Sequence, residues 1–215
     1  MDFLEPLVLP EGVDCRYWAL PAAGLPNIGS FLTAEEQALR ATFGHPRRRE
    51  GFAMGRLVAR SLVGDRLEMS WLDVPLVYDD EGAPCLEGWP HHLSMTHTDE
   101  AAAAILGDRP VGIDLEVIRP RRPDLYKFLL HENEYRLLEE IQLPREALMI
   151  LIWTLKEAVL KGQRTGFRQS PKKLQVEIDV EAGVATIALA SGAYWEARFV
   201  HLGNAYLSAA FPALR

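Results

Sequence analysis

The chain reads as an α+β protein made of two similar halves, 1–110 and 111–215, and three observations carry that reading. Helical and strand signals come in blocks, a helical pair and then strands, twice over. The strands alternate apolar and polar residues with period two, as antiparallel strands with one covered face do. The two blocks also echo one another: Phe31-Leu32 and Phe128-Leu129 open the helical pairs, and Gly55-Arg56-Leu57 and Leu155-Lys156-Glu157 lie on their second helices. Two such halves predict a cleft between them.

Composition narrows the class. At 215 residues, 48% of them hydrophobic, the chain is long enough for a sizeable core. Its formal net charge of −7 argues against a general nucleic-acid binder, although local basic patches remain. Met1 to Pro10 has acids at Asp2 and Glu5 and no basic region, and no apolar run approaches the roughly 18 residues of a membrane span. Cys15 and Cys85 make neither a disulfide framework nor a zinc site. These features predict a soluble, cytoplasmic protein.

In order, a strand is expected around Arg16 to Leu20 and a loop over Pro21 to Ser30. Thr33-Ala34-Glu35-Glu36 forms a capping box that starts a short helix to about Phe43. Pro46 suits the first turn of a second helix, ending at Gly64 as a C′ residue. Met54, Leu57, Val58 and Leu62 give that helix an apolar stripe, and Arg49, Arg56 and Arg60 form a separate row. Trp71 to Tyr78 and Ala83 to Leu86 read as a hairpin about Asp79-Asp80-Glu81-Gly82. His91 to Thr98 alternates again, and Ala101 to Leu106 is expected to pair with Val111 to Glu116. After the basic loop Arg119 to Pro123, helices are predicted over Asp124 to Glu140 and Pro144 to Lys161. Four alternating segments, around Leu174-Ile178, Ala185-Leu189, Trp195-Val200 and Tyr206-Phe211, complete an antiparallel sheet.

The chemistry gathers at two of these elements. On the strand Val111-Gly112-Ile113-Asp114-Leu115-Glu116, Asp114 and Glu116 share a face, where their mutual repulsion is relieved by a divalent cation such as Mg²⁺. The competing reading is a solvated acidic edge. On the helix Pro144 to Lys161, Leu148, Leu151, Ile152, Leu155 and Val159 already form a complete core stripe, yet Trp153 and Leu160 lie on the other face beside Glu157 and Lys161. A face that is apolar where it should be wet suggests a covered cleft. Glu157 would there be a third carboxylate around one metal, and Lys161 a cation for a diphosphate.

These two stretches, the second being Trp153-Thr154-Leu155-Lys156-Glu157-Ala158-Val159-Leu160-Lys161, resemble the signature motifs of the 4′-phosphopantetheinyl transferases. Length and paired halves are similar to the larger, surfactin-synthetase-activating type. Ser94-Met95-Thr96-His97-Thr98 resembles that family's Asn-x-Ser-His-Ser stretch, Gly82-Ala83-Pro84 its Gly-Lys-Pro, and Gly55 to Arg60 its arginine-bearing helix.

The resemblance implies two α/β subdomains related by pseudo-twofold symmetry, each with an antiparallel sheet against helices. It implies transfer of the 4′-phosphopantetheine arm of coenzyme A to a serine of an apo acyl- or peptidyl-carrier protein, with Mg²⁺ (or Mn²⁺) and release of adenosine 3′,5′-bisphosphate. Asp114, Glu116 and Glu157 would hold the metal, Glu157 would act as base, Lys161 would assist the leaving group, and Lys156 is an active-site neighbour. Arg56, Thr96, His97 and Lys161 would contact coenzyme A, and Glu134 is a further acidic candidate. The loop Arg119 to Arg122 would steer the acidic carrier. No nucleic acid or membrane is implied, and a monomer is expected. Ala83, Glu36 and Leu39 stand where the family carries basic residues, so the nucleotide end would be gripped differently, by Arg40 or Arg47 to Arg49. The rival reading is a catalytically silent carrier-binding module of the same fold.

Overall fold

The computed structural model describes residues 3–20, 28–122, 124–165 and 168–213. Most of the loop expected over Pro21 to Ser30 lies outside the described residues, as does Pro123. Helices and antiparallel sheets make the chain α+β, and it separates into two compact units, Met1–Asp108 and Arg109–Arg215.

The first unit sets a long helix on a small sheet. Strand β1 (Val13–Ala19) and strand β4 (His92–His97) flank β5 (Ala101–Gly107), all antiparallel. All of β5 is buried, and its small residues Ala101 to Ala104 suit a central strand packed on both faces. This corrects the hairpin expected between Ala101–Leu106 and Val111–Glu116: period two reveals a strand's faces but not its partner. Helix α1 (Ala34–Thr42) begins at the capping box, with Thr33 Oγ1 accepting from the Glu36 amide and Glu36 accepting from that of Thr33. Helix α2 (Pro46–Arg66) buries Met54, Leu57, Val58 and Leu62 beside Trp18, Leu93, Ala102 and Ala104. It runs past Gly64, which is not a cap but a notch: any side chain there would strike the Trp71 ring and the Met69 carbonyl. The stretch from Trp71 is a short 3₁₀ turn, and only β2 (Leu76–Tyr78) pairs with β3 (Pro84–Leu86), through a turn with Gly82 at φ 79°.

The second unit is a five-stranded antiparallel sheet in the order β6 (Gly112–Val117), β10 (Ala205–Pro212), β9 (Tyr194–Leu202), β8 (Val184–Leu189), β7 (Leu174–Asp179). Helix α5 (Arg145–Gly162) packs across β6 and β10. The single helix expected over Asp124 to Glu140 is broken into α3 (Asp124–Leu129), a 3₁₀ turn (Glu132–Glu134) and α4 (Leu137–Glu140). The break is a second capping box, in which Glu134 accepts from the His131 amide and His131 Nδ1 from the Asn133 amide.

Helix α5 is buried almost all round, as a helix with apolar residues on every face must be. One side meets Leu174, Val176, Ile187 and Trp195, and another meets Leu129, Leu130 and Leu137. Leu160 belongs to the first cluster and Trp153 lies against the second. Leu160 is therefore core, and Trp153 packs partly buried on the edge of one. No described helix is long and apolar enough to cross a membrane.

Candidate active site

The acidic face of β6 turns toward α5. A Cβ on Gly112 would fall on the Ala158 carbonyl oxygen, and Gly162 lies against the Gly112 amide nitrogen, so strand and helix cross with no side chain between them. Alternation along β6 then points Asp114 and Glu116 the same way as Gly112. Across the register Asp114 faces Ser208 of β10, whose hydroxyl shares a hydrogen bond of 2.8 Å with that of Thr154 on α5. Two glycines thus seat β6, and two hydroxyls its neighbour β10, against the helix that carries Glu157 and Lys161.

Three carboxylates meet there at unequal depth. Asp114 is 5% exposed and Glu157 8%, whereas Glu116 is half-buried. Burial first, then the negative charges of Asp114 and Glu116, pushes Glu157 up to about 7, with Lys161 opposing. Burial and the Asp114 charge likewise raise Glu116, against Arg121, Arg119 and Lys161. Two cations answer this repulsion: Lys161 Nζ donates to Asp114 Oδ1 at 2.7 Å, and Arg121 Nη2 donates to Glu116 Oε2. Glu157 Oε1 is buried with no hydrogen-bond partner among the described residues.

The family resemblance implies a divalent metal at this place, and the donors suit one: hard carboxylate oxygens, mutually repelling, one of them buried and unsatisfied. As they stand they are not a closed ligand set. Among the described residues no group of three or more His, Cys, Asp and Glu side chains is arranged to hold a metal ion, and two of these carboxylates are turned onto Lys161 and Arg121.

Lys156 is placed elsewhere. Its fully buried ammonium donates to Glu134 at 2.6 Å and to the Leu129 carbonyl at 2.8 Å. Burial pulls its pKa below the ordinary lysine value, and Glu134 opposes that pull. Glu134, 1% exposed, also accepts from the amides of His131 and Val176. Lys156 and Glu134, expected near the active site, meet each other in a buried pair that ties α5 to the preceding turn and to β7. One residue along a helix is a turn of about 100°, which is why neighbours in sequence look in different directions.

In the first unit, Arg56 is also committed. It is 3% exposed, lies 2.9 Å from Glu36 Oε1, donates to the Tyr78 hydroxyl at 2.6 Å and stacks on the Phe52 and Tyr78 rings. Arg60 shares Glu36 and donates to the carbonyls of Trp71, Leu72 and Val74. Glu36 therefore balances two buried arginines, the physical reason for an acid at that position. The phosphate contact expected of Arg56 would require breaking this cluster. Thr96 is buried on β4, and His97 is exposed at its end, with its ring over Gly51 of α2. Arg47 pairs with Asp99, Arg48 covers the Phe43 ring and Arg49 donates to the Phe43 carbonyl, all on the surface.

The Arg121 contact and the Thr154–Ser208 pair escaped the sequence reading. A Pro-bearing basic loop directly after an acidic strand was the available signal for the first; nothing local marks the second.

Comparison with known proteins bears on the same elements. Residues 110–211 match the 4′-phosphopantetheinyl transferase superfamily. The chain is 28% identical to the 4′-phosphopantetheinyl transferase HetI of Nostoc sp. over 209 residues, 84% of this chain and 87% of that protein. It is 22% identical to the 4′-phosphopantetheinyl transferase Sfp of Bacillus subtilis over 139 residues, 64% of this chain and 62% of that protein. With the 4′-phosphopantetheinyl transferase AcpT of Salmonella typhi it shares 32% identity over 126 residues, 55% of this chain and 60% of that protein.

Proposed function

We propose that the chain is a 4′-phosphopantetheinyl transferase, the reading supported by its match over residues 110–211 and its likeness to HetI, and that it transfers the 4′-phosphopantetheine arm of coenzyme A to a serine of an apo acyl- or peptidyl-carrier protein, releasing adenosine 3′,5′-bisphosphate. The observation that supports this most is the meeting of Asp114, Glu116, Glu157 and Lys161 on β6 and α5. Asp114, Glu116 and Glu157 are the residues we assign to Mg²⁺ or Mn²⁺. When bound, that cation supplies charge neutralisation on the diphosphate.

Serine attack on the β-phosphoryl group breaks its bond to the bridging oxygen and needs a proton acceptor for the hydroxyl. We assign that role to Glu157, whose buried Oε1 has no hydrogen bond among the described residues to surrender first. Lys161, on a rigid helix and only part-buried, is the cation assigned to the diphosphate and the departing phosphate. Thr96 and His97 are assigned to phosphate or nucleotide contacts of coenzyme A. Lys156 acts as a positioning residue through Glu134. The basic loop Arg119 to Arg122 is assigned to steering an acidic carrier. We take the protein to work as a cytoplasmic monomer, with its motif-bearing half at 111–215.

A second reading, a silent carrier-binding module, draws support from Ala83 in place of the family's lysine and from the two ion pairs that close the carboxylates. One experiment separates the two. Incubation with coenzyme A, Mg²⁺ and apo carrier proteins is expected to leave a phosphopantetheine adduct on a carrier, read by intact-protein mass spectrometry. Carriers bound but never modified would establish the silent module instead.

A further inference from the structure

Arg121 is not explained by a steering role alone. The chain leaves β6 at Val117, passes Pro120 and folds back, so that the Arg121 guanidinium returns to Glu116, five residues earlier. The grip is one-pronged. Nη2 makes the contact, whereas the buried Nε donates to no acceptor among the described residues. A guanidinium favours a two-pronged fork on a carboxylate, so this pair leaves part of its desolvation uncompensated.

The two cations on the carboxylates differ in what carries them. Lys161 stands on α5, a buried helix that cannot withdraw it. Arg121 stands on a segment with no helix or strand, and its side chain is 27% exposed. Of the pair, only Arg121 can leave by moving a few backbone bonds. Its leaving would return the Glu116 carboxylate to the cluster it shares with Asp114 and Glu157.

Resting on the metal assignment above, we propose that Arg121 is a resident counterion of Glu116 that a divalent cation must displace, so that metal binding and release of the loop from Ile118 to Arg122 are one coupled event. In the metal-free protein the guanidinium offsets the repulsion between half-buried Glu116 and buried Asp114. A cation that takes Glu116 frees a positive side chain and the backbone beside it.

The loop carries its own reporter. Arg119 and Arg122 each precede proline, so Arg121-Arg122 is the one bond in this segment that trypsin cuts. Mn²⁺ binding is measured by the spin-resonance signal of the free ion, at constant ionic strength, for the wild type and for Arg121→Ala, Arg119→Ala and Glu157→Ala. Arg119 is the control for charge without contact, since it acts on Glu116 through its field. If Arg121 holds Glu116 nine-tenths of the time, Arg121→Ala binds Mn²⁺ about tenfold more tightly, and Arg119→Ala changes the affinity less than about threefold. In the wild type, cutting at Arg121-Arg122, relative to other sites in the same digest, speeds up when Mn²⁺ is added. Equal gains from both arginine variants, or an unchanged cleavage rate, would overturn the displacement. Should Glu157→Ala and the wild type bind Mn²⁺ identically, the metal assignment itself is wrong and the proposal falls with it.

Discussion

Lys156 and Glu157 are consecutive residues of one buried helix, and they end in opposite electrostatic states. Lys156 meets a single carboxylate that is itself fully satisfied, by two backbone amides and the ammonium. Glu157 meets two more carboxylates, shares one helix-borne lysine with them and keeps a buried oxygen without a hydrogen bond among the described residues. The first arrangement is closed and costs the fold little; the second is held in a state that the isolated protein does not favour. Destabilised polar groups collect where a ligand is to be received, because the ligand supplies the missing partner.

Breaking the closed pair is expected to have the largest effect. Lys156→Ala leaves Glu134 buried and uncompensated, and should lower stability by about 3–5 kcal/mol in chemical denaturation. Replacing both residues with apolar ones should not rescue it, because the His131 and Val176 amides would lose their acceptor. Opening the other member of the comparison is expected to do the reverse. Glu157→Gln should fold normally yet lose about 100-fold or more in phosphopantetheine transfer, followed by carrier mass.

The same variant sharpens the contrast through pH. A carboxylate whose pKa rises from 4.5 to about 7 on folding contributes stability below 4.5 that is lost as pH climbs through 7. In chelator, the wild type should therefore be less stable at pH 8 than at pH 5. Glu157→Gln should recover on the order of 2 kcal/mol at pH 8 and little at pH 5, in thermal or denaturant unfolding. The smallest effect is reserved for a neutral, satisfied contact on the same helix. Thr154→Val strands the Ser208 hydroxyl and should cost about 1 kcal/mol. A loss as large as that of Lys156→Ala would show that charge is not what separates these sites.

Much of this was legible in the residues. The capping box at Thr33, the helix from Pro46, the paired acids of β6 and the i, i+4 relation of Glu157 and Lys161 are local patterns, and each sits where its pattern put it. Trp153 and Leu160 do not mark a wet face that has been covered. Leu160 packs into one core and Trp153 against the edge of another, because α5 is covered on several sides and a helical period cannot say how many layers surround it. Arg56 and Glu36 show the same limit, since a basic row and an acidic cap on separate helices gave no sign of meeting in one buried cluster.

By itself the sequence determined the identity of elements and the face on which each polar group stands, since both follow from periods of 2.0 and 3.6 residues and from caps within a turn of their helix. Only the tertiary structure decided the partners. It paired Ala101–Gly107 with β1 and β4, sent Lys156 to Glu134 and brought Arg121 back onto Glu116. Those outcomes depend on distances between residues far apart in the chain or across an irregular loop. There the free energy is set by burial and charge at the meeting point, which no local pattern encodes.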